Sequence, residues 1–372
     1  MKKGAPLAQI LVFVIFIAAF AVLNLVTPAR TFSEQENRYL AQAPKFSFSA
    51  LFDGSFTESF EKYVTDQFFG RDLWVAGKAR AERAAGKTEN NNVFFCADDT
   101  LIERFNEPDP AQLTANIDAI NALAANTDAD VCLALIPGAA AIWSDRLPAN
   151  ANCADQLAVI DEVYSRTDAK TIDLASALTA AADEYIYYRT DHHWTSLGAC
   201  YASDRILSAI TGRGGKAPQN FAPKTVTTEF YGTAWSSSGA TWVPPDSIDI
   251  FVPQGDAVVK NYPHGTEEDG TLYDMSRLET KDKYSMFCGG NTPRLHVDTG
   301  SEGPHLLVLR DSYFDSELPF LLGSFSEIDV LDLRYFRTSV ADFIRENDID
   351  AVLVIYSVSN FSTDTSVFLA GR

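Results

Sequence analysis

Four strand-length stretches rich in apolar residues punctuate the chain: 131–136 (Val131-Cys132-Leu133-Ala134-Leu135-Ile136), 305–309 led by His305, 328–333 interrupted by Asp329 and Asp332, and 351–356. A continuous apolar run of this length, as at 131–136, 306–309 and 351–356, marks a strand covered on both faces, as in a parallel sheet. Between and around them lie stretches with helical spacing over 109–126, opened by Pro110, and over 156–167, 175–183, 197–211, 314–322 and 339–347. Shorter strands are expected at 93–95, 100–102, 171–174 and 184–188. Alternating strands and helices predict an α/β fold, a mostly parallel sheet with helices on both faces.

Three stretches depart from this alternation. Residues 7–26 are apolar except for Gln9 and Asn24. About 20 such residues span a bilayer as a helix. Lys2 and Lys3 precede them, so the positive-inside bias leaves the amino terminus in the cytoplasm and the body outside. A cleaved signal peptide is the alternative, but its apolar segment is usually ~7–15 residues and ends at a small-residue site, which Thr27-Pro28-Ala29-Arg30 matches poorly. Residues 1–30 are therefore expected to anchor the chain. Residues 31–90 form a polar spacer followed by helix over 50–86, with Phe56, Phe60, Tyr63, Phe68, Phe69, Leu73 and Trp74 expected in a core. The remaining domain, 91–372, is interrupted at about 221–300 by a segment rich in Gly, Pro, Thr, Ser and aromatic residues, expected as a β-rich insertion.

Charge narrows the partners. Residues 1–30 hold Lys2, Lys3 and Arg30 and no acidic residue, which leaves 27 of the 30 basic residues against all 50 acidic ones in the body. So negative a field disfavours nucleic acid and anionic membrane surfaces. Five cysteines, Cys96, Cys132, Cys153, Cys200 and Cys288, show no paired spacing for zinc. A Cys132–Cys153 disulfide would close a short loop, although a chain this long buries a core without one.

The chemistry concentrates at two places. In an extended backbone the side chains of Asp191 and His193 share a face and His192 takes the other. A carboxylate that accepts the imidazole N–H fixes its tautomer, the orienting half of a nucleophilic triad. The other half is Ser312, just beyond the apolar run at 305–309, where nucleophiles of open α/β sheets sit. A metal site on Asp191, His192 and His193 is disfavoured because adjacent histidines on a strand face opposite ways. His264, His296 and His305 lack the usual ligand spacings, so neither metal nor cofactor is expected.

Asp191-His192-His193-Trp194 is the signature of the bacterial DHHW proteins, which are similar to the alginate O-acetylation proteins of the SGNH-hydrolase superfamily. The resemblance extends through Glu34-Gln35-Glu36-Asn37-Arg38-Tyr39-Leu40, Asp53-Gly54-Ser55-Phe56, Asp66-Gln67-Phe68 with Arg71-Asp72, and Phe230-Tyr231-Gly232. It closes with Arg310-Asp311-Ser312-Tyr313 and Asp332-Leu333-Arg334-Tyr335. It implies an SGNH-hydrolase-like sheet with permuted motif order, the Asp/His pair preceding the serine. Ser312 is then the nucleophile, His193 the general base and later acid, and Asp191 the orienting carboxylate. Arg334, Tyr335 and Asn360 fall where the superfamily places oxyanion and substrate groups. Arg310 stands where glycine is common. Arg334 is read equally as the partner of a neighbouring carboxylate, Tyr231 as glycan-lining or packed, and Trp194 as packed or stacked on a sugar.

The implied function is that of an extracytoplasmic, membrane-anchored O-acetyltransferase or acetylesterase acting on a cell-surface or exopolysaccharide glycan. A multispanning membrane acyltransferase is implied as acyl donor. The alternative is a non-catalytic glycan-binding or scaffold protein of a polysaccharide-modification system.

Overall fold

The computed structural model describes residues 5–216, 218–251 and 257–372. Its centre is an eight-stranded sheet built from β1 (Asp130–Ile136), β2 (Lys170–Thr171), β3 (Val258–Asn261), β4 (Glu268–Asp269), β5 (Arg294–Asp298), β6 (His305–Arg310), β7 (Glu327–Leu331) and β8 (Ala351–Ser357). The strand order is β4-β3-β5-β7-β6-β8-β1-β2. The five strands from β7 to β2 are parallel, and β5, β3 and β4 extend the sheet antiparallel beyond β7. The expected α/β class holds, and the apolar runs occupy the middle strands.

Because side chains alternate along a strand, each run faces two cores. Ala134, Ile136, Val308, Leu353 and Ile355 pack on one side with Ala199, Cys200, Ala202 and Ile206 of the helix Ser196–Thr211. Leu133, Leu135, Leu307, Leu309 and Val354 pack on the other with the helices Pro110–Ala125 and Gln156–Arg166. The 221–300 region divides its strands between two sheets. It contributes an antiparallel pair, Pro223–Phe230 with Asp246–Phe251, and all three added strands of the main sheet.

The chain divides into two units, one of residues up to 87 with 239–241 and the other of 88–238 with 242–372. In the smaller unit the helix Ala5–Val26 is long and apolar enough to cross a membrane; Lys2 and Lys3 lie outside the described residues. Residues 48–84 form three helices rather than one, broken where Gly54 and Gly70 take φ of 85° and 67°, values that suit glycine. The aromatics of this stretch are not a core as expected: Phe60, Phe68, Leu73 and Trp74 are exposed, Leu73 to 80%. Phe20 of the apolar helix stacks on Phe68 at 5.7 Å between centroids and lies 5.8 Å from Trp74. Ion pairs hold this unit instead, with Arg38 gripping Asp66 at 2.6 Å and Arg71 paired to Glu36. The Arg38 guanidinium lowers the Asp66 pKa to about 2. All five cysteines are free thiols.

Candidate active site

β6 ends at Arg310, and Asp311 caps the next turn by accepting the Tyr313 N–H on Oδ1 at 3.0 Å. Asp311 Oδ2 accepts from the Ser357 N–H at 2.9 Å, the Ser357 hydroxyl at 2.8 Å and Asn360 Nδ2 at 2.8 Å. One carboxylate thus ties the end of β6 to the end of β8. Ser312 is the first residue of the 3-10 turn Ser312–Ser316 and is half-buried. Arg310, which takes the place of the usual glycine, points away from Ser312. Its buried guanidinium meets Asp315 at 3.1 Å, Asp332 at 3.5 Å and Asn291 at 3.0 Å. Burial pushes the Asp315 carboxyl up to about 7, against the pull of Arg310.

The strand expected over 184–188 is not formed. The chain folds back on itself instead, closing through the Tyr187–Trp194 bridge and the Thr195 N–H to Ile186 carbonyl bond at 2.9 Å. The Asp191 and His193 side chains still meet, through this bend: Asp191 Oδ1 accepts the His193 backbone N–H at 3.0 Å and lies 2.6 Å from Nδ1. On the other side of the ring, His193 Nε2 is 2.8 Å from Ser312 Oγ. With Asp191 accepting from Nδ1–H, Nε2 is left to accept the serine hydroxyl. His192 shares the bend, its ring 3.9 Å from that of His193 between centroids, so the two histidines do not face opposite ways.

Several neighbours the sequence did not flag complete the arrangement. Thr233 donates to Asp191 Oδ2 from its N–H at 2.8 Å and from its hydroxyl at 3.0 Å, and its hydroxyl oxygen lies 2.7 Å from His192 Nδ1. A Cβ on Gly232 would come 2.2 Å from Asp191 Cβ, so only glycine fits there. The Tyr284 ring stacks on His193 at 3.8 Å and donates its hydroxyl to the Ser312 carbonyl at 3.2 Å. All three lie in the region without helical or strand periodicity; the one signal was Gly232 closing the Phe230-Tyr231-Gly232 motif.

Burial and the neighbouring His192 lower the His193 pKa to about 4. Burial opposes the Asp191 carboxylate, but His192, His193 and the Thr233 N–H outweigh it and hold its pKa well below the usual range. Against its own burial, His192 is raised by Asp191 and Glu103. At neutral pH the pair Asp191/His193 is thus carboxylate and neutral imidazole, the state able to take a proton from a hydroxyl.

A cleft of about 300 Å³ adjoins these groups, walled by Glu103, Gly138, Gln156, His192, Thr233, Tyr313 and Asn360. Of the anticipated substrate residues, Asn360 lines it. Arg334 does not; its guanidinium is committed to Asp332 at 2.9 and 2.6 Å. Tyr335 is half exposed beside Arg334. Tyr231 packs on Trp235 at 4.6 Å, outside the cleft wall. Trp194 is fully buried and donates its indole N–H to the Tyr313 carbonyl at 2.9 Å and to Ser316 Oγ at 3.0 Å. It holds the serine turn and offers no face to a sugar.

Among the described residues, two groups gather possible metal-ligating atoms: Asp191, His192 and His193, and His296, His305 and Glu327. In the first, both nitrogens of His193 are already engaged. The second was invisible to spacing because strand register assembles it around buried Asp329, 2.9 Å from His305 Nε2 and 3.3 Å from His296 Nδ1. The Arg294 guanidinium binds the same carboxylate at 2.8 Å and opposes a cation there. His305 opens β6, so this cluster sits at the opposite end of the strand from Ser312.

A family model described as DHHW protein matches residues 111–331, which contain Asp191, His193 and Ser312. The probable alginate O-acetylase AlgJ of Pseudomonas syringae pv. tomato is 24% identical over 263 residues, 66% of this chain; the chain spans 64% of that relative's length. Among solved structures, a DHHW family protein from Eubacterium siraeum is 24% identical with a TM-score of 0.65, over 76% of this chain and 95% of its own. Bacillus cereus PatB1 with a sulfonyl adduct is 20% identical with a TM-score of 0.62, over 74% of this chain and 97% of its own. At these identities the two structures are likenesses of fold.

Proposed function

The chain belongs to the DHHW family, and we propose that it is a serine-dependent O-acetyltransferase or acetylesterase, anchored in the membrane and acting on a glycan outside the cytoplasm. The observation that carries this reading is the continuous relay from Asp191 Oδ1 to His193 Nδ1 at 2.6 Å and from His193 Nε2 to Ser312 Oγ at 2.8 Å. The likeness to an alginate O-acetylase supports acetyl transfer as the chemistry.

In this mechanism His193 Nε2 takes the Ser312 proton as Oγ attacks the acyl carbonyl, and Asp191 stabilises the imidazolium. The oxyanion that forms is met by the Ser312 N–H at the start of its turn and by the second N–H of Asn360 Nδ2, whose first is bound to Asp311. Protonated His193 then gives its proton to the leaving oxygen, which departs and leaves acyl-Ser312. In the second half, His193 removes a proton from a sugar hydroxyl or from water. That oxygen attacks the acyl carbonyl, and Ser312 Oγ leaves with the proton from His193. Transfer and hydrolysis differ only in this acceptor.

The apolar helix Ala5–Val26 supports anchoring, with the body outside. The acyl donor in this reading is a multispanning membrane acyltransferase. The non-catalytic alternative draws on Arg310 standing where glycine is common, and the Arg310 side chain is engaged by Asp315 and Asp332 in a buried network. The test is mass spectrometry of the full-length protein in detergent after exposure to nitrophenyl acetate. An acetyl adduct on Ser312, absent in Ser312→Ala and His193→Ala, is expected. A wild-type chain that never acetylates at Ser312 and hydrolyses the ester no faster than Ser312→Ala sinks the proposal.

A further inference from the structure

We infer that the acceptor is a glycan whose sugars carry no acid group, neutral or amino sugars, and that Glu103 enforces this choice. The inference rests on the acyl-transfer reading of Ser312 and names the substrate class of that same site. Polyuronates and phosphate-bearing polymers are excluded by the charge of the cleft.

Binding a polymer with a carboxylate on every sugar calls for guanidinium or ammonium groups along the wall. Among the described residues, no Lys or Arg lines the cleft. Its ionisable groups are Glu103, Asp191 and His192. The His192 ring, raised toward its cationic form, is already answered twice, with Nδ1 3.8 Å from Asp191 Oδ1 and 4.0 Å from Glu103 Oε1. Asp191 is spoken for by His193 and Thr233, whereas the Glu103 side chain is 46% exposed. The cleft therefore presents to whatever enters a half-exposed carboxylate, Glu103, whose one recorded charge contact is His192 at 4.0 Å.

Arg310, Arg334 and Lys281 do not compensate. Arg310 and Arg334 sit among three carboxylates, Asp311, Asp315 and Asp332, and both contact Asp332. Lys281 donates to the Tyr231 carbonyl at 2.8 Å with its ammonium over the Trp235 ring. Beyond the site, the net charge of the chain is −20. The remaining wall is what a hydroxyl-rich ring needs. Gln156, Thr233, Ser359 and Asn360 offer neutral donors and acceptors, and the small residues Gly138, Ala139 and Ala140 leave width for a flat sugar. A uronate carboxylate seated ~4 Å from Glu103 loses roughly tenfold or more in affinity, and an ammonium in the same place gains.

The test uses the full-length Ser312→Ala chain in detergent, which binds without turnover, and labelled hexamers of β-1,4-glucose, glucosamine and mannuronate. Glucosamine is expected to bind at least as tightly as glucose, and mannuronate at least about tenfold more weakly. The advantage of glucosamine should shrink as salt rises. Adding Glu103→Lys should strengthen mannuronate and weaken glucosamine by roughly tenfold each, with Glu103→Gln between. Mannuronate binding as tightly as glucose, a ranking indifferent to Glu103→Lys in a folded protein, or no binding of any hexamer overturns the inference. Because Ser312 is absent from this assay, the expected ranking without an acetyl adduct on wild-type Ser312 would sink the catalytic reading alone.

Discussion

His192 and His193 are neighbours whose proton affinities move apart: burial and the adjacent ring lower His193 to about 4, while nearby carboxylates raise His192. The first histidine of the signature thus keeps the second one neutral. If His193 is the base, kcat/KM for nitrophenyl acetate should hold down to about pH 4 before it falls. Replacing His192 with Gln removes a positive neighbour, so the His193 pKa should rise and the acid limb should move toward the ordinary histidine value near 6.5. An unmoved limb would show that burial alone sets the pKa. Gly232→Ala drives a methyl into Asp191. It should cost on the order of 10²–10³ in kcat/KM, the scale of misaligned acid–base catalysis, with the fold intact by circular dichroism. Asp191 and His193 could be named because one short motif carries both, and Ser312 from its place in a second motif 119 positions after His193. Gly232, Thr233 and Tyr284 could not, since their roles arise from contacts across 28 or more positions, formed in a stretch with no periodic signal to place them.

Whole elements show the same division. The runs at 131–136, 306–309 and 351–356 were legible as central strands because burial on both faces leaves an unbroken apolar signature. The bend at 186–195 read as a strand because Tyr185, Ile186, Tyr187 and Tyr188 have strand composition, yet their partners are tertiary; Tyr187 bonds the Pro137 carbonyl and Thr190 bonds Asp246. The grouping of His296, His305 and Asp329 depended on register, with His296 paired to Asp329 across β5 and β7, and no sequence spacing encodes that. This cluster makes stability depend on pH at both ends. Asp329, 2.9 Å from His305 Nε2 and 3.3 Å from His296 Nδ1, is held well below its usual value by these imidazoles despite burial, so its contribution is present above the unfolded carboxylate pKa and is lost as pH falls through the folded one. His296 is raised chiefly by the close approach of the Asp329 carboxylate, so its contribution is complete below about 6.5 and is lost as pH rises through the folded value. Urea midpoints should therefore decline from pH 6 toward pH 8. His296→Gln should be less stable at pH 6 and flatten that decline; a parallel curve would refute the coupling.

At the scale of the molecule, an apolar helix and exposed aromatics near it contrast with an acidic body. If the helix Ala5–Val26 anchors the chain with its body outside, the protein should sediment with membranes, and protease added to spheroplasts should degrade the body without lysis. Degradation only after lysis would reverse the orientation. The exposed Phe60, Phe68, Leu73 and Trp74 were read from sequence as core because helical spacing of aromatics says that a face is apolar but not what covers it. The strand order carries a different lesson. β8, made of residues 351–357, lies between β6 and β1 and pairs with both, so the latest of these eight strands in chain order occupies an interior place in the sheet. Until it arrives, β1 and β6 are raw edges with no partner between them, and the Asp311 carboxylate lacks Ser357 and Asn360. Assembly is thus gated by residues 351–360, a high-contact-order route that exposes unpaired edges to aggregation. A chain emerging across the membrane would stay unfolded and inactive until these residues have emerged. A truncation after residue 350 should yield insoluble or proteolysed material rather than a weakened enzyme, so a quality-control protease would meet a clear choice between a finished sheet and two halves.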